Sequence, residues 1–388
     1  MHSYDYCVPT RLVFGEGSVE KLPELVRGRG KKVLVVFGGG SVKRLGILGR
    51  AEELLAPEHE IFELSGVEPN PRVTSLRAGA GICKKEGIDF VLAIGAGSVI
   101  DAAKGICAAA KYEGDAWDLV KDNSKVKGAL PLFVILTNAA TGSEYDSGAV
   151  ITNLDTNEKM ALSSDFLFPV ASIMDPAYTC TVPPKHTAAG AADIFSHTIE
   201  QYIVMDGNIL TDAMCEGMLR TVVECTPKVL ANPNDLDARG QLMMASSFGC
   251  CGLLSLGRSP SPWPCHGIEH EISAWYDITH GVGLAIITPH WMRWSLSEKT
   301  APRLAQYGVR VFGVEPGAND METAEKAIAA TREFFNSIGI PSRLSEVGVT
   351  EEHFEAMADH VLTLWYPLHL ALRPIDREGV IEILRASL

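Results

Sequence analysis

Apolar residues are grouped differently in the two halves of the chain. In the first half, short apolar, β-branched runs alternate with stretches whose apolar positions recur every three or four residues. The near-continuous apolar runs among them, 89–95 and 130–137, predict strands buried on both faces, and the stretches between the runs predict helices that cover a parallel sheet. The predicted strands are 31–37, 59–65, 89–95 and 130–137, and two of the predicted helices are 72–87 and 98–112.

The pattern changes near residue 180. Just before it, residues 148–164 predict a β-hairpin, because turn-forming residues at 153–157 separate two apolar runs. Beyond it, helical periodicity continues to the C-terminus without a convincing strand. We therefore predict an α/β domain over residues 1–180 and an all-helical domain over 181–388, with a small-molecule site expected where the two domains meet.

Composition narrows the functional class. The formal net charge is −14 and there is no basic cluster, which argues against binding to nucleic acid or to an anionic membrane surface. The nine cysteines are scattered without a C-x-x-C pair, which argues against a disulfide framework or a thiolate zinc site. No apolar run is long enough to span a bilayer and the N-terminus does not resemble a signal peptide, so we expect a cytoplasmic protein.

Three of the predicted strands end in glycine or small polar residues. In an open parallel sheet, ligands bind beyond the carboxyl ends of the strands, where glycine lets a phosphate approach the backbone. One such loop is also typical of any tight turn, but three at strand ends favour a nucleotide. The residues concerned are Gly38, Gly39, Gly40 and Ser41, then Gly95, Gly97 and Ser98, then Thr137, Thr141, Gly142 and Ser143.

Five side chains in the helical half could hold a metal ion. Asp193 and His197 are four residues apart, so they share one face of a predicted helix. His266, His270 and His280 fall close together further along the chain. The pair with two of these three histidines would give three imidazoles and one carboxylate, a set that suits Zn²⁺ or Fe²⁺ better than Mg²⁺ or Ca²⁺.

Taken together, these segments resemble the iron-containing (group III) alcohol dehydrogenases, and within them the butanol dehydrogenase branch. The resemblance covers nearly the whole chain and is most specific in its second half. The matching segments include VLVVFGGGSVKRLG, GVEPNPR, GAGSVIDAAKGI, TNAATGSEYDSGAVITN, DPAYTCTVP, GAADIFSHTIEQYI and HGIEHEISAWYDITHGVGLAIITPHWM.

The resemblance implies a Rossmann-like dinucleotide-binding domain followed by a helical metal-binding and substrate domain, as in dehydroquinate synthase-like proteins. It implies Asp193, His197, His266 and His280 as ligands of Fe²⁺ or Zn²⁺, with Ni²⁺ and Mn²⁺ as alternatives. His270 would lie beside the metal and relay a proton. The implied cofactor contacts are Gly38, Gly39, Ser41, Asn70, Gly95, Gly97, Ser98, Asp101, Thr137, Thr141 and Lys159.

The expected reaction is metal-assisted hydride transfer between a nicotinamide cofactor and a small primary alcohol or aldehyde such as butanol or butanal. If Gly38 stands where NAD-preferring folds place an acid, no carboxylate there repels a 2′-phosphate, and we slightly favour NADP(H) over NAD(H). The family resemblance and the apolar RLVFGEG segment favour a homodimer.

Other functions remain open at this stage. A glycerol or 1,2-diol dehydrogenase would use the same site, and a dehydroquinate synthase-like lyase would use the same architecture. A lyase of that kind needs basic residues for a phosphorylated substrate, whereas Trp263, Trp275 and Tyr276 near the histidines suit an uncharged one. A catalytically idle metal-binding protein is disfavoured because the ligand set and the glycine loops are intact.

Three positions depart from the family pattern. Asp146 stands where NADP-linked relatives often have Asn, which adds a potential negative charge near the cofactor. Cys251 replaces a common Asn, and Cys265 precedes the implied ligand His266 where Met, Thr or Ala is usual. These two thiols could reshape the substrate pocket or make it sensitive to oxidation.

Overall fold

The computed structural model describes the whole chain, Met1–Leu388. Its internal contacts define two compact units. The α/β unit comprises Cys7–Val182 and Asn234–Ser247, and the helical unit comprises Met1–Tyr6, Pro183–Pro233 and Phe248–Leu388. The main change of unit, after Val182, falls close to the point where the sequence periodicity changes.

The strands of the chain all lie in the α/β unit. They are β1 (Arg11–Phe14), β2 (Lys32–Phe37), β3 (Glu60–Leu64), β4 (Phe90–Gly95), β5 (Leu132–Leu136), β6 (Gly148–Asn153), β7 (Glu158–Ser163) and β8 (Ala171–Met174). Six of them form a parallel sheet in the order β1-β8-β5-β4-β2-β3. The four strands predicted from apolar runs are confirmed as β2, β3, β4 and β5, whereas β1 and β8 were not predicted.

The α-helices, in chain order, include short and long elements. They are α1 (Leu22–Val26), α2 (Ser41–Arg44), α3 (Ile47–Leu55), α4 (Val73–Glu86), α5 (Gly97–Ala109), α6 (Ala116–Lys121), α7 (Pro184–Tyr202), α8 (Ile209–Ala231), α9 (Leu236–Cys250), α10 (Pro264–Tyr276), α11 (His280–Ser295), α12 (Ala301–Tyr307), α13 (Asp320–Ser337), α14 (Phe354–Val361) and α15 (Arg377–Ser387). The two helices predicted in the first half are confirmed as α4 and α5. No helix is both long enough and apolar enough to span a membrane.

Both faces of the inner strands β2, β4 and β5 are buried, which explains their nearly unbroken apolar runs, whereas the edge strand β3 exposes Glu60 and Glu63. Along β2, Val33 and Val35 belong to one hydrophobic core while Leu34 and Val36 belong to another. Successive side chains of a strand point to opposite faces, so each core lies on one face of the sheet. A strand with one solvated face would have alternated between apolar and polar residues.

The sheet order brings the three glycine loops together at the carboxyl ends of neighbouring strands. Strand β4 pairs in parallel with β2 on one side and with β5 on the other. Their carboxyl ends therefore lie side by side, and the loops that follow them share that edge of the sheet. The Thr137 N–H, directly after β5, donates to the Gly95 carbonyl at the end of β4 at 3.0 Å.

The predicted hairpin is confirmed as the antiparallel pair β6 and β7. Asn157 in its turn has φ of 52°, in the left-handed region that asparagine tolerates better than most residues. The hairpin contacts α5 through polar groups, since the Val150 N–H donates to the Asp101 carboxylate at 2.9 Å.

Helices α7, α10 and α11 form the interior of the helical unit. In α7, every residue from 187 to 202 is buried. Helix α11 approaches it so closely that a Cβ added at Gly281 would lie 1.9 Å from the Ala189 carbonyl oxygen. Only glycine fits there, and the residue before it, His280, is thereby held against α7.

Candidate metal centre and cofactor loops

Helix α7 brings the first two candidate ligands together. Asp193 and His197 lie on the same helix face, and His197 Nε2 is 3.6 Å from Asp193 Oδ1. Both side chains are buried, with 3% and 6% of the residue exposed. Burying a carboxylate this deeply is costly unless other groups compensate for its charge.

Helices α10 and α11 add His266 and His280 to the same carboxylate oxygen. The Nε2 atoms of both histidines are 3.7 Å from Asp193 Oδ1. Asp193 Oδ1 and His266 Nε2 are buried atoms without a hydrogen-bond partner, which is unusual for buried polar groups. Ligand atoms around a tetrahedral zinc ion would be about 3.4 Å apart, given bonds of about 2.1 Å. The spacing and the unsatisfied atoms therefore fit a divalent metal ion.

Two buried glutamates contact the outer nitrogens of these imidazoles. Glu200 of α7 lies 2.5 Å from His266 Nδ1, and Glu269 of α10 contacts His280 Nδ1. Both glutamates are fully buried. Because a carboxylate accepts hydrogen bonds, each Nδ1 carries the proton and each Nε2 is left to face Asp193.

Burial and the charges of neighbouring groups shift the pKa values of these side chains in opposite directions. Burial disfavours the ionised Asp193 carboxylate, but the facing histidines, His197 foremost, outweigh it and hold the pKa of Asp193 below its ordinary value. Burial lowers the pKa of His197 to about 4. Burial also disfavours charged His266, but Glu200 and Asp193 outweigh it and raise the pKa of His266 to about 9. A metal ion that binds to His266 at Nε2 would displace the proton from that nitrogen.

His270 lies beside this cluster with a different partner. It is 4% exposed, and its Nδ1 is 2.6 Å from the hydroxyl oxygen of Tyr366. Its ring centroid is 5.2 Å from that of His280. Ligand atoms of Glu269, His270 and His280 lie within 4.8 Å of one another, as do those of Asp193, His266 and His280. The geometry therefore offers two overlapping sets of donors that share His280.

Aromatic rings surround part of the cluster. Trp263 stands edge-on to His197 and His266, with ring centroids 6.0 Å and 5.3 Å apart. Its φ of 49° is sparsely populated for an aromatic residue and is a strained conformation of the kind often found at functional sites. Trp275, by contrast, stacks on His353, and the Tyr276 hydroxyl contacts Thr350. Of the three aromatic residues singled out in the sequence, Trp263 is the one that packs on candidate ligands.

The sequence-predicted cofactor residues all belong to the α/β unit. Thr141 packs against Gly97 so closely that a Cβ on Gly97 would lie 2.4 Å from it. Asp101 is buried and accepts from the Ser143 hydroxyl at 2.6 Å; burial raises its pKa to about 6. Gly38, Gly39 and Ser41 follow β2, Gly95 and Ser98 flank the β4 turn, Thr137 follows β5, Asn70 precedes α4, and Lys159 is buried on β7.

The three departures from the family pattern have defined surroundings. Asp146 accepts at 2.6 Å from Lys104 Nζ, whose side chain is fully buried, so its negative charge is paired. The Tyr6 hydroxyl lies 3.4 Å from Cys251 Sγ. Cys265 is fully buried, and burial raises the pKa of its thiol well above the ordinary value. Oxidation needs thiolate and access, so Cys265 is protected from it.

Comparison with known proteins gives a consistent result. The model of the family described as iron-containing alcohol dehydrogenase matches residues 9–176, and that of the C-terminal domain of Fe-containing alcohol dehydrogenases matches residues 187–388. NADH-dependent butanol dehydrogenase A of Clostridium acetobutylicum is 47% identical over the full length of both chains. The NADPH-dependent aldehyde reductase of Escherichia coli is 37% identical over 92% of both. The crystal structure of NADH-dependent butanol dehydrogenase A from Thermotoga maritima superposes with a TM-score of 0.94, at 36% identity, over 100% of this chain and 99% of that one.

The convergence on Asp193 predicts the consequence of removing its carboxylate. We expect the purified chain to hold about one divalent ion, and Asp193→Ala to weaken its binding by more than the roughly 100-fold that a lost outer partner can cost. Metal content after gel filtration, measured by mass spectrometry, checks this. His353→Ala, which removes a histidine stacked on Trp275, is the matched control and keeps its metal. Full metal content in Asp193→Ala contradicts the prediction.

Proposed function

The chain belongs to the iron-containing alcohol dehydrogenase family, and we propose that it interconverts small primary alcohols of about the size of butanol and their aldehydes, with NAD(P)(H) as hydride carrier. The observation that carries this proposal is the set of three imidazoles around the unsatisfied Asp193 oxygen. The names of its full-length relatives, butanol dehydrogenase and aldehyde reductase, support it.

Asp193, His197, His266 and His280 would hold the metal. When bound, Fe²⁺ or Zn²⁺ (alternatively Ni²⁺ or Mn²⁺) supplies a Lewis acid for the substrate oxygen, and the nicotinamide supplies or accepts the hydride. The four side chains would hold the ion in one place because they come from three helices packed in a buried interior. Trp263, edge-on to two of the imidazoles, supplies apolar surface against which a short alkyl chain can pack.

His270 would relay the proton between the substrate oxygen and solvent, with Nε2 as the ring nitrogen that exchanges it. Its Nδ1 contacts the Tyr366 hydroxyl, which can either donate or accept a hydrogen bond. Tyr366 can therefore satisfy Nδ1 whether or not that atom carries a proton. To accept a proton at Nε2 the neutral ring must carry its own proton on Nδ1, and the Tyr366 hydroxyl can accept from that N–H in both the neutral and the charged ring, so no buried polar atom is left unpaired.

The family assignment disfavours a dehydroquinate synthase-like lyase. Among dehydrogenases, a glycerol or 1,2-diol substrate would need polar partners for its further hydroxyl groups. The rings of Trp263 and Tyr366 beside the histidines favour an alkyl chain over such a polyol. We therefore place simple primary alcohols ahead of diols.

For the cofactor, we favour NADP(H) slightly over NAD(H). The loop after β2, Gly38 to Ser41, contains no acid, and α2 adds Lys43 and Arg44. Arg44 lies against this loop, since a Cβ on Gly40 would be 3.9 Å from its guanidinium. The nearby Glu63 is paired with Lys43 at 2.9 Å. A 2′-phosphate would find a guanidinium beside this loop, although relatives named for either NADH or NADPH exist.

Two further properties are proposed on physical grounds. A homodimer is supported by β1, an edge strand of the parallel sheet whose Phe14 is 49% exposed, because unpaired strand edges favour association with a second copy. A cytoplasmic location is supported by the cysteines, all of which have free thiols, as is usual in reducing compartments.

Reduction of butanal tests the activity directly. We expect the metal-loaded chain to oxidise NADPH or NADH in the presence of butanal, and chelator-treated protein to lose this activity until Fe²⁺, Zn²⁺, Ni²⁺ or Mn²⁺ is restored. The rate is measured as the decrease in absorbance of the reduced nicotinamide, with the same starting concentration of cofactor in every assay. Turnover that persists without metal, or faster oxidation of glycerol and 1,2-propanediol than of butanol, contradicts the proposal.

Replacing His270 tests the proton relay. We expect His270→Ala to lower kcat by roughly 10²- to 10⁴-fold, the usual contribution of general acid–base catalysis, and to remove a limb of its pH profile. The metal content should remain full, because the loss concerns proton transfer rather than metal binding. An unchanged pH profile in a fully metal-loaded variant rules out the relay.

The cofactor preference has its own test. We expect kcat/KM to be higher with NADPH than with NADH, and Arg44→Ala to raise the KM for NADPH by about 10-fold, as for one charge-assisted hydrogen bond, while the KM for NADH stays constant. Arg29→Ala, an exposed arginine ahead of β2, serves as the matched control. A preference for NADH that Arg44→Ala does not alter shows that this interpretation of the loop is wrong.

A further inference from the structure

The two fully buried glutamates at the candidate metal centre occupy equivalent places in the sequence. Glu200 follows His197 by three residues in the segment HTIE, and Glu269 follows His266 by three residues in the segment HGIE. Neither glutamate contacts the histidine of its own segment through the hydrogen bonds described above. Each contacts the imidazole presented by the next helix of the cluster.

The contacts form a chain from helix to helix. Helix α7 presents Asp193 and His197, and its Glu200 contacts Nδ1 of His266 on α10 at 2.5 Å. Helix α10 presents His266, and its Glu269 contacts Nδ1 of His280 on α11. Helices α7 and α10 therefore each supply a candidate ligand together with the carboxylate that orients the ligand of the next helix.

Glu269 is held rigidly from two sides. The Ser273 hydroxyl, one turn further along α10, donates to its carboxylate. Helix α11 passes so close that a Cβ added at Gly283 would lie 2.7 Å from Glu269 Cγ. A carboxylate with so little freedom fixes the His280 ring both in rotation and in tautomer, with the proton on Nδ1 and the lone pair of Nε2 directed towards Asp193.

We propose that Glu200 and Glu269 are positioning residues that set the affinity of the centre for its metal, by orienting His266 and His280 and by adding negative charge behind them. The proposal rests on the proposed function insofar as Asp193, His197, His266 and His280 hold the metal. It goes beyond it by assigning roles to two residues that need not touch the metal, the substrate or the cofactor.

Replacing Glu269 gives the more specific test. Glu200 also accepts hydrogen bonds from the backbone N–H groups of Cys265 and His266, so its replacement would also disturb the start of α10. Glu269→Gln keeps the size of the side chain and an oxygen for the His280 Nδ1–H, but removes the charge. Glu271→Gln is the matched control. Glu271 is also buried on α10 and also contacts a histidine, His360, at 2.8 Å, but His360 is not among the candidate ligands.

The experiment measures the dissociation constant for Zn²⁺ on the metal-free full-length chain, by competition with a chromophoric chelator. We expect Glu269→Gln to weaken Zn²⁺ binding by roughly 10- to 100-fold, as for the loss of other outer carboxylates, and Glu271→Gln to stay within about twofold of the parent chain. Equal affinities for the parent chain and Glu269→Gln overturn the inference. So does an equal loss in both Gln variants, because the effect would then not be specific to the carboxylate behind His280.

Two additional variants separate the outcomes. Asp193→Ala distinguishes the inference from the proposed function: if it binds Zn²⁺ as well as the parent chain does, the ligand assignment itself fails. Glu269→Asp guards against misfolding, because it keeps the charge and should recover part of the lost affinity. If Asp and Gln at position 269 weaken binding equally while the metal-free variants keep the thermal stability of the parent chain, negative charge behind His280 does not set the metal affinity and the inference fails.

Discussion

Three imidazole nitrogens face one buried carboxylate oxygen, and the interior of the helical unit is arranged around this convergence. Asp193 Oδ1 lies 3.6 to 3.7 Å from the Nε2 atoms of His197, His266 and His280. A carboxylate 3% exposed and surrounded by apolar helices would be strongly destabilising without compensating positive charge. A proton on His266 compensates in part, and a divalent metal would do so more completely while also using the unpaired atoms.

The outer carboxylates extend the same constraint through the helices. Each places a negative charge behind an imidazole and thereby specifies which ring nitrogen faces inwards. The close approach of α11 to α7 at Gly281, and to Glu269 at Gly283, shows that backbone packing and ligand orientation are coupled. A bulkier residue at either glycine would move His280 as well as the helix.

Much of this arrangement could be predicted from the sequence, and the rest depended on information that the sequence does not express locally. Strands β2, β4 and β5 are nearly continuous apolar runs because both their faces are buried, whereas β1 and β8 have only four residues each and show no periodicity. The spacing of Asp193 and His197 predicted a shared helix face. Residue patterns alone left open which two of the three later histidines would join them.

The partners of the histidines were harder to predict than the histidines themselves. Glu200 and Glu269 had a signal, a glutamate three residues after a histidine in an otherwise apolar helix, but which imidazole each would contact depends on helix packing. Tyr366 had no such signal in the sequence, because it is 96 residues from His270, whose ring it contacts. Contacts of this kind are set by tertiary structure rather than by local pattern.

The position of the metal tests this account most directly. Crystals of the metal-loaded chain, measured on both sides of the iron and zinc absorption edges, would locate the ion by anomalous scattering. The account predicts a single peak about 2.0 to 2.3 Å from an Asp193 carboxylate oxygen and from the Nε2 atoms of His197, His266 and His280. A peak centred instead among Glu269, His270 and His280, the other set of donors that the geometry offers, would contradict it.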